Sequence, residues 1–223
     1  METIAHIINT VKSSQLLDEA NATLLKGQYY EAMHLFNTYL LFDPENKDAR
    51  LKKGLCYLYT EQFEKAYQLF EQLNAEGPDA ETSYCYAEYY KLVFDFDYAL
   101  TYITQAIRLD EENATYHRLA AELCYLNQDY DEAFSLINRA IVLSPFREEL
   151  YYWRALIFLR FEKHQVSLHD LNRAISINPQ FAEAYRLRAN IRMRLGEVEP
   201  ALQDLKNAQR FELLLAEQVK HAA

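Results

Sequence analysis

The stretch AFSLINRAIVLSP at residues 133–145 returns as SLHDLNRAISINP at residues 167–179, a step of 34 residues. Both copies read small-x3-apolar-x2-small-x4-Pro, with Ala133, Ile137, Ala140 and Pro145 answered by Ser167, Leu171, Ala174 and Pro179. Outward from these copies, the opening small residue recurs as Ala32, Ala66, Ala99, Ala133, Ser167 and Ala201, at intervals of 34, 33, 34, 34 and 34. A second series, Ala20, Gly54, Ala87, Ala121, Ala155 and Ala189, keeps the same step. A period of this length marks a stacked-repeat architecture. The small residue lets two antiparallel helices approach, the large apolar residue fills the space beside it, and proline enforces the turn. No single repeat could bury its own apolar face, so neighbours must stack to form the core.

With a small or apolar residue allowed at the third place, the flanking copies fit the pattern with two exceptions, both at the proline. Repeats one and two read Ala32, Phe36, Tyr39, Pro44 and Ala66, Phe70, Leu73, Pro78. Glu111 stands where the third repeat would carry proline, and Leu213 where the sixth would, so the last helix can run on. Composition agrees with helices: half of the 223 residues are hydrophobic, and only 4 Gly and 5 Pro are present, too few for a chain of short strands.

The pattern resembles the tetratricopeptide repeat (TPR) family, whose unit of two helices carries small and large apolar residues at fixed places. It divides the chain into six units, at residues 13–46, 47–79, 80–113, 114–147, 148–181 and 182–215, with an N-terminal capping helix or arm at 1–12 and a C-terminal helix extension at 216–223. Lys26-Gly27-Gln28, Asn127-Gln128-Asp129 and Leu195-Gly196-Glu197 supply turns within units. The resemblance implies an all-α, right-handed superhelical solenoid. The first helices depart from the family pattern: position 4 holds Arg50, Ser83 and His117, and position 7 holds Glu19, Lys53, Arg154 and Arg188 in place of leucine. Ile4, Ile7, Ile8 and Val11 share one helical face, which suits a cap or an arm that enters a groove.

Several function classes fall away. There is no Gly-rich phosphate loop, no paired cysteines and no hydrolase or metalloprotease signature, so no catalytic residue, metal or cofactor is assigned. His164 and His169, with Glu162 and Asp170 nearby, are five residues apart and read as solvated polar groups, whereas His117 reads as packed. Cys56, Cys85 and Cys124 are odd in number and far apart, which predicts core thiols. The net charge of −10 lies wholly in residues 1–113, with 9 Lys/Arg against 19 Asp/Glu, while residues 114–223 hold 14 of each. That balance disfavours nucleic acid. Neither a secretory signal nor an apolar run of membrane-spanning length is visible, and the expected location is cytoplasmic.

What remains is an interaction module. The resemblance implies that positions 2, 5, 9, 12 and 13 of each first helix line a concave groove, here with Leu51 and Leu55, then Tyr84, Arg118 and Tyr125, then Tyr152, Leu156, Leu159, Arg160, Arg186, Asn190 and Arg194 among others. Arg186 and Asn190 also match the opening pair of a clamp for chaperone C-termini, but the last repeat leaves no later unit to complete it. An Arg- and Tyr-rich lining suits a partner protein or peptide with apolar anchors and acidic residues. The expected role is scaffold, adaptor or chaperone. The alternatives are a self-assembling structural component, which would be a homo-oligomer, and a cytosolic chaperone of a bacterial secretion system.

Overall fold

The two small-residue series place two helices in every repeat, and the computed structural model has twelve among its described residues. It describes the backbone of residues 2–77 and 79–221 and the side chains of residues 12–77 and 79–217. The helices pair as hairpins: α1 (Glu2–Leu25) with α2 (Tyr29–Tyr39), α3 (Lys47–Tyr59) with α4 (Phe63–Ala75), α5 (Ala80–Leu92) with α6 (Phe96–Leu109), α7 (Ala114–Leu126) with α8 (Tyr130–Leu143), α9 (Glu148–Arg160) with α10 (His164–Ile177), and α11 (Ala182–Arg194) with α12 (Val198–His221). No strand occurs among the described residues. The chain divides into two compact units, residues 1–111 and 112–223, each of three hairpins. In the first, α2 packs on α3 and α4 on α5; in the second, α8 packs on α9 and α10 on α11.

Local signals set the helix ends. Asn46, Asp79 and Asp129 accept the N–H of Ala49, Thr82 and Glu132 at 3.0, 2.7 and 3.2 Å, which caps α3, α5 and α8. Every first helix closes on one left-handed residue, in turn Gly27, Glu61, Phe94, Gln128, Glu162 and Gly196. The N–H after each of them reaches back to a carbonyl of the last turn, as from Asp95 to Tyr90 at 2.8 Å and from Lys163 to Phe158 at 2.9 Å. The α1 helix is continuous from residue 2, so the N-terminal segment extends the first repeat helix. The face of Ile4, Ile7, Ile8 and Val11 lies outside the described side chains, as do Gln218 and Val219, and so does Pro78.

Both small-residue series are buried without exception. At one crossing the contact is explicit: Ser167, in place of alanine, donates from Oγ to the Ala155 carbonyl at 2.9 Å. At another the fit is tighter than alanine would allow. A methyl on Gly54 would overlap Cε1 of Phe70 and stand 3.1 Å from its Cδ1, and Phe70 is itself fully buried. The second repeat therefore carries glycine where the other five carry alanine.

The first-helix departures have a physical cause. Arg154 donates through Nε and a terminal nitrogen to both oxygens of Asp170, at 2.7 and 2.8 Å, and through its other nitrogen to Asn138 at 2.8 Å. One repeat later Arg188 makes the same three bonds, to Asp204 at 2.8 and 2.6 Å and to Asn172 at 2.6 Å. Position 7, leucine in the family, is here the hub of a polar ladder joining three helices. Asp170 is thus not a solvated residue: it is 1 % exposed, and the bidentate guanidinium replaces the water its carboxylate lost. In the third repeat the same two places hold Tyr86 and Tyr102, stacked at 4.8 Å.

Two substitutions test this packing. Gly54→Ala gains helix propensity of about 1 kcal/mol but overpacks the Phe70 ring at about 1–3 kcal/mol, so the denaturation midpoint should fall, and Phe70→Leu should recover it in a non-additive cycle. Asp170→Ala should cost about 3 kcal/mol by stranding Arg154, whereas Arg154→Leu with Asp170→Leu should stay within about 1 kcal/mol of the parent, read from urea unfolding.

Candidate functional site

The residues read as groove lining do not share one fate. Leu51 is 3 % exposed and sits with Leu58, Phe70 and Tyr86 in the core around α3 and α4, while Leu55 packs half-buried against it. The apolar end of the expected groove is in this respect core: α1, α4 and α5 supply apolar neighbours on both sides of α3. Tyr84 donates from its hydroxyl to Glu88 at 2.9 Å, and Glu88, 1 % exposed, pairs with Lys91 at 2.8 Å. Arg118 pairs with Glu122 of its own helix at 2.8 Å. Arg186 forms an ion pair with Glu212 of α12.

The remaining lining residues, Tyr152 excepted, converge. Tyr125 of α7, Leu156, Leu159 and Arg160 of α9, and Leu187, Asn190, Ile191 and Arg194 of α11 enclose a cleft of about 490 Å³. The three helices are the first helices of successive repeats, so the period itself aligns them. Leu156, Leu159 and Leu187 are half-buried and Ile191 is buried, which gives an apolar floor, while Arg160, Asn190 and Arg194 are exposed at the rim. Arg160 donates from Nε to the Tyr125 hydroxyl at 2.9 Å, and its guanidinium lies 5.2 Å from the centroid of that ring and 5.7 Å from that of Tyr130. That hydrogen bond holds the Arg160 pKa above its ordinary value. Tyr125 in turn meets Trp153 edge-on at 5.9 Å. Neither Arg160 nor Arg194 has a carboxylate partner among the described residues. The neighbouring Arg188 and Arg192 are both engaged by Asp204.

Tyr152 does not line this cleft: it is half-buried, its hydroxyl pushed up by burial and by the nearby Glu183. It packs against Phe181 at 5.4 Å and Trp153 at 6.3 Å. Leu187 and Ile191 lie outside the sequence-derived lining, because positions 6 and 10 of a repeat helix usually turn to the neighbour. A cleft one helix wide brings them into view.

Among the described residues no cluster of three or more His, Cys, Asp or Glu could hold a metal ion. His164 is half-buried and His169 exposed, and they do not converge; His117 is buried. All three cysteines are buried and free, and burial pushes the Cys56 thiol up to about 12, Cys124 up to about 11 and Cys85 well above its ordinary value. Protonated at neutral pH, they are poor nucleophiles.

Tetratricopeptide-repeat models match residues 23–88 and 95–148, together more than half of the chain. The chain is a tetratricopeptide-repeat protein. Proteins of this family act as protein–protein interaction modules and are generally non-catalytic. The TPR chain is similar in fold to a thermophilic TPR protein of Thermus thermophilus, at 18 % identity and a TM-score of 0.73, over 81 % of this chain and 99 % of that one. A TPR protein from Parabacteroides merdae is 22 % identical with a TM-score of 0.68, over 93 % and 83 % of the two chains. YrrB, described as a TPR protein with an unusual peptide-binding site, is 20 % identical with a TM-score of 0.53, over 82 % and 94 %. No curated protein matches the TPR chain. None of its described helices is long and apolar enough to cross a membrane.

Thiol chemistry offers a check on these environments. At pH 8 the native protein should react with iodoacetamide far more slowly than the urea-unfolded chain, with Cys124 modified before Cys85 by mass spectrometry. The raised thiol pKa values stabilise the fold below the unfolded value near 9.0, and that contribution is lost as pH climbs through about 11 for Cys124 and about 12 for Cys56. The denaturation midpoint should therefore fall across that alkaline window.

Proposed function

We propose that this TPR protein is a non-catalytic scaffold, adaptor or chaperone that holds a segment of a partner protein in the cleft formed by α7, α9 and α11. An apolar side chain of the segment lies on Leu156, Leu159, Leu187 and Ile191. A neighbouring Asp, Glu or chain-terminal carboxylate reaches Arg160 and Arg194, with Asn190 as a further hydrogen-bonding group. The observation that carries this reading is the pair of rim arginines without carboxylates beside an apolar floor, while Arg154, Arg188 and Arg192 of the same unit are held by Asp170 and Asp204. A guanidinium held beside an apolar floor gains more from an incoming carboxylate than one in open water. Arg160 is also pre-positioned by Tyr125, which lowers the entropy lost when it binds. YrrB, the similar chain described as binding a peptide, lends the peptide reading support by fold alone. Three free thiols suit a reducing, cytoplasmic compartment.

Self-assembly is favoured by a different feature. Leu205 of α12 is 39 % exposed, whereas its counterparts Phe36, Phe70, Ile103, Ile137 and Leu171 are fully buried. A second copy packed on this face of α12 would supply the cover that Leu205 does not have here. Light scattering over a range of concentrations separates the two: a partner-binding module stays monomeric alone.

The cleft itself is tested with a captured partner whose affinity is measured by calorimetry. Arg160→Ala with Arg194→Ala should weaken binding by about tenfold to a hundredfold and flatten its salt dependence. Leu51→Ala with Leu55→Ala should lower stability instead, since Leu51 is core. Unchanged affinity in a folded arginine double variant would move the partner to another surface.

A further inference from the structure

Four tyrosines of α5 and α6 stack face to face. Centroids are 4.8 Å apart for Tyr86 and Tyr102, 5.5 Å for Tyr102 and Tyr90, and 5.1 Å for Tyr90 and Tyr98, with interplanar angles of 21°, 7° and 24°. The run begins in the core, where Tyr86 is 3 % exposed, and ends at the surface with Tyr98, 56 % exposed. A stacked run of phenols presents the negative face of its last ring to solvent, and that face attracts cations.

In the second unit such faces are met by the protein's own guanidinium groups. Arg160 stands over Tyr125 and Tyr130, Arg154 over Tyr151 and Phe158, and Arg188 over Tyr185. In the first unit no Lys or Arg stands over Tyr90, Tyr98 or Tyr102 among the described residues, and Lys53 and Lys65 both serve Tyr57. The surroundings are instead acidic. Asp95 caps α6 by accepting the Tyr98 N–H at 3.4 Å, and Asp97 is exposed in the same first turn; burial, with Glu64 after it, raises the Tyr89 hydroxyl, and burial and the neighbouring Tyr67 and Tyr102, with Glu71 after them, raise that of Tyr86. Phe94, which opens this turn, is 80 % exposed and holds φ at 63°, a left-handed conformation that costs a bulky residue energy glycine would not lose. The sequence keeps aromatic surface here against local preference.

We propose that the Tyr98 end of this stack, with Asp97 beside it, docks an arginine side chain of a basic segment in a partner protein. Arginine suits it better than lysine, because its planar group stacks on a ring while its N–H fork reaches a carboxylate. Charge complementarity commits the surface to a cationic occupant, since residues 1–113 carry 9 Lys/Arg against 19 Asp/Glu. The site is separate from the cleft of the second unit and does not depend on it.

Fluorescein-labelled hexa-arginine and hexalysine peptides, titrated against the full chain by anisotropy at low and at physiological salt, test it. Hexa-arginine should bind the more tightly, by about threefold or more. Tyr98→Leu should abolish that preference, and Asp97→Asn should weaken both peptides, each with an unchanged circular-dichroism spectrum. Arg160→Ala with Arg194→Ala should leave the preference intact, so a failure of the cleft reading and a failure here are distinguishable. Equal affinity for the two peptides, or a preference that survives Tyr98→Leu, would reduce the surface to net charge and overturn the proposal, as would tighter binding of an oligouridylate.

Discussion

The close approach of the two helices in each hairpin is the constraint on which the rest of this protein depends. An alanine, serine or glycine at both crossing positions lets a large side chain of one helix sit against the backbone of the other, and buried volume there is fixed to within a methyl group. The Gly54 and Phe70 pair shows the tolerance: where the filler is a phenylalanine in the second repeat, even a Cβ is too much. The first repeat keeps Ala20 opposite Phe36, both fully buried, so the filler alone does not dictate glycine. Given the crossing, the first helices of successive repeats run side by side, and residues one period apart become neighbours. The cleft between α9 and α11 is made of such residues.

Because the crossings hold the helices, other first-helix positions are free to change chemistry. Position 7 is Tyr86 in one repeat, stacked on Tyr102, and Arg154 or Arg188 in others, forked onto Asp170 or Asp204. An apolar pair and a buried ion pair occupy the same register at similar cost, since the Coulomb energy of the second is largely offset by desolvation. The ion pair adds direction. A bidentate fork with a third bond to the preceding repeat tolerates little rotation, which favours one stacking geometry over its neighbours.

The period could be read from sequence because small residues at a fixed step have few competing explanations, and the six helix hairpins are its direct consequence. Gly27 and Gly196 likewise announce their turns. Glu61, Phe94 and Glu162 occupy the same left-handed place without any residue preference to betray them, so only the backbone reveals them. Arg154 and Arg188 read as departures because their partners lie 16 residues away on another helix, a relation that a family pattern of single positions does not encode. Leu51 and Leu55 illustrate a different limit. Position within a repeat says which way a side chain points, but whether a neighbouring helix covers it depends on the approach of that helix, and Leu51 is covered.

Arginine placement separates the two units more sharply than their shared architecture suggests. In the second unit, guanidinium groups are distributed among buried carboxylates, aromatic faces and the cleft rim, where Arg160 and Arg194 combine a solvent-facing position with apolar neighbours. In the first unit no Lys or Arg stands over Tyr90, Tyr98 or Tyr102 among the described residues, and Asp95 and Asp97 lie at the start of the same helix. The occupants proposed for the two surfaces are then opposite in charge, an anionic group for the cleft and a cationic one for the tyrosine stack. A single highly charged segment would be drawn to one surface and repelled from the other, so simultaneous occupancy requires either two partners or one partner whose acidic and basic stretches are separate.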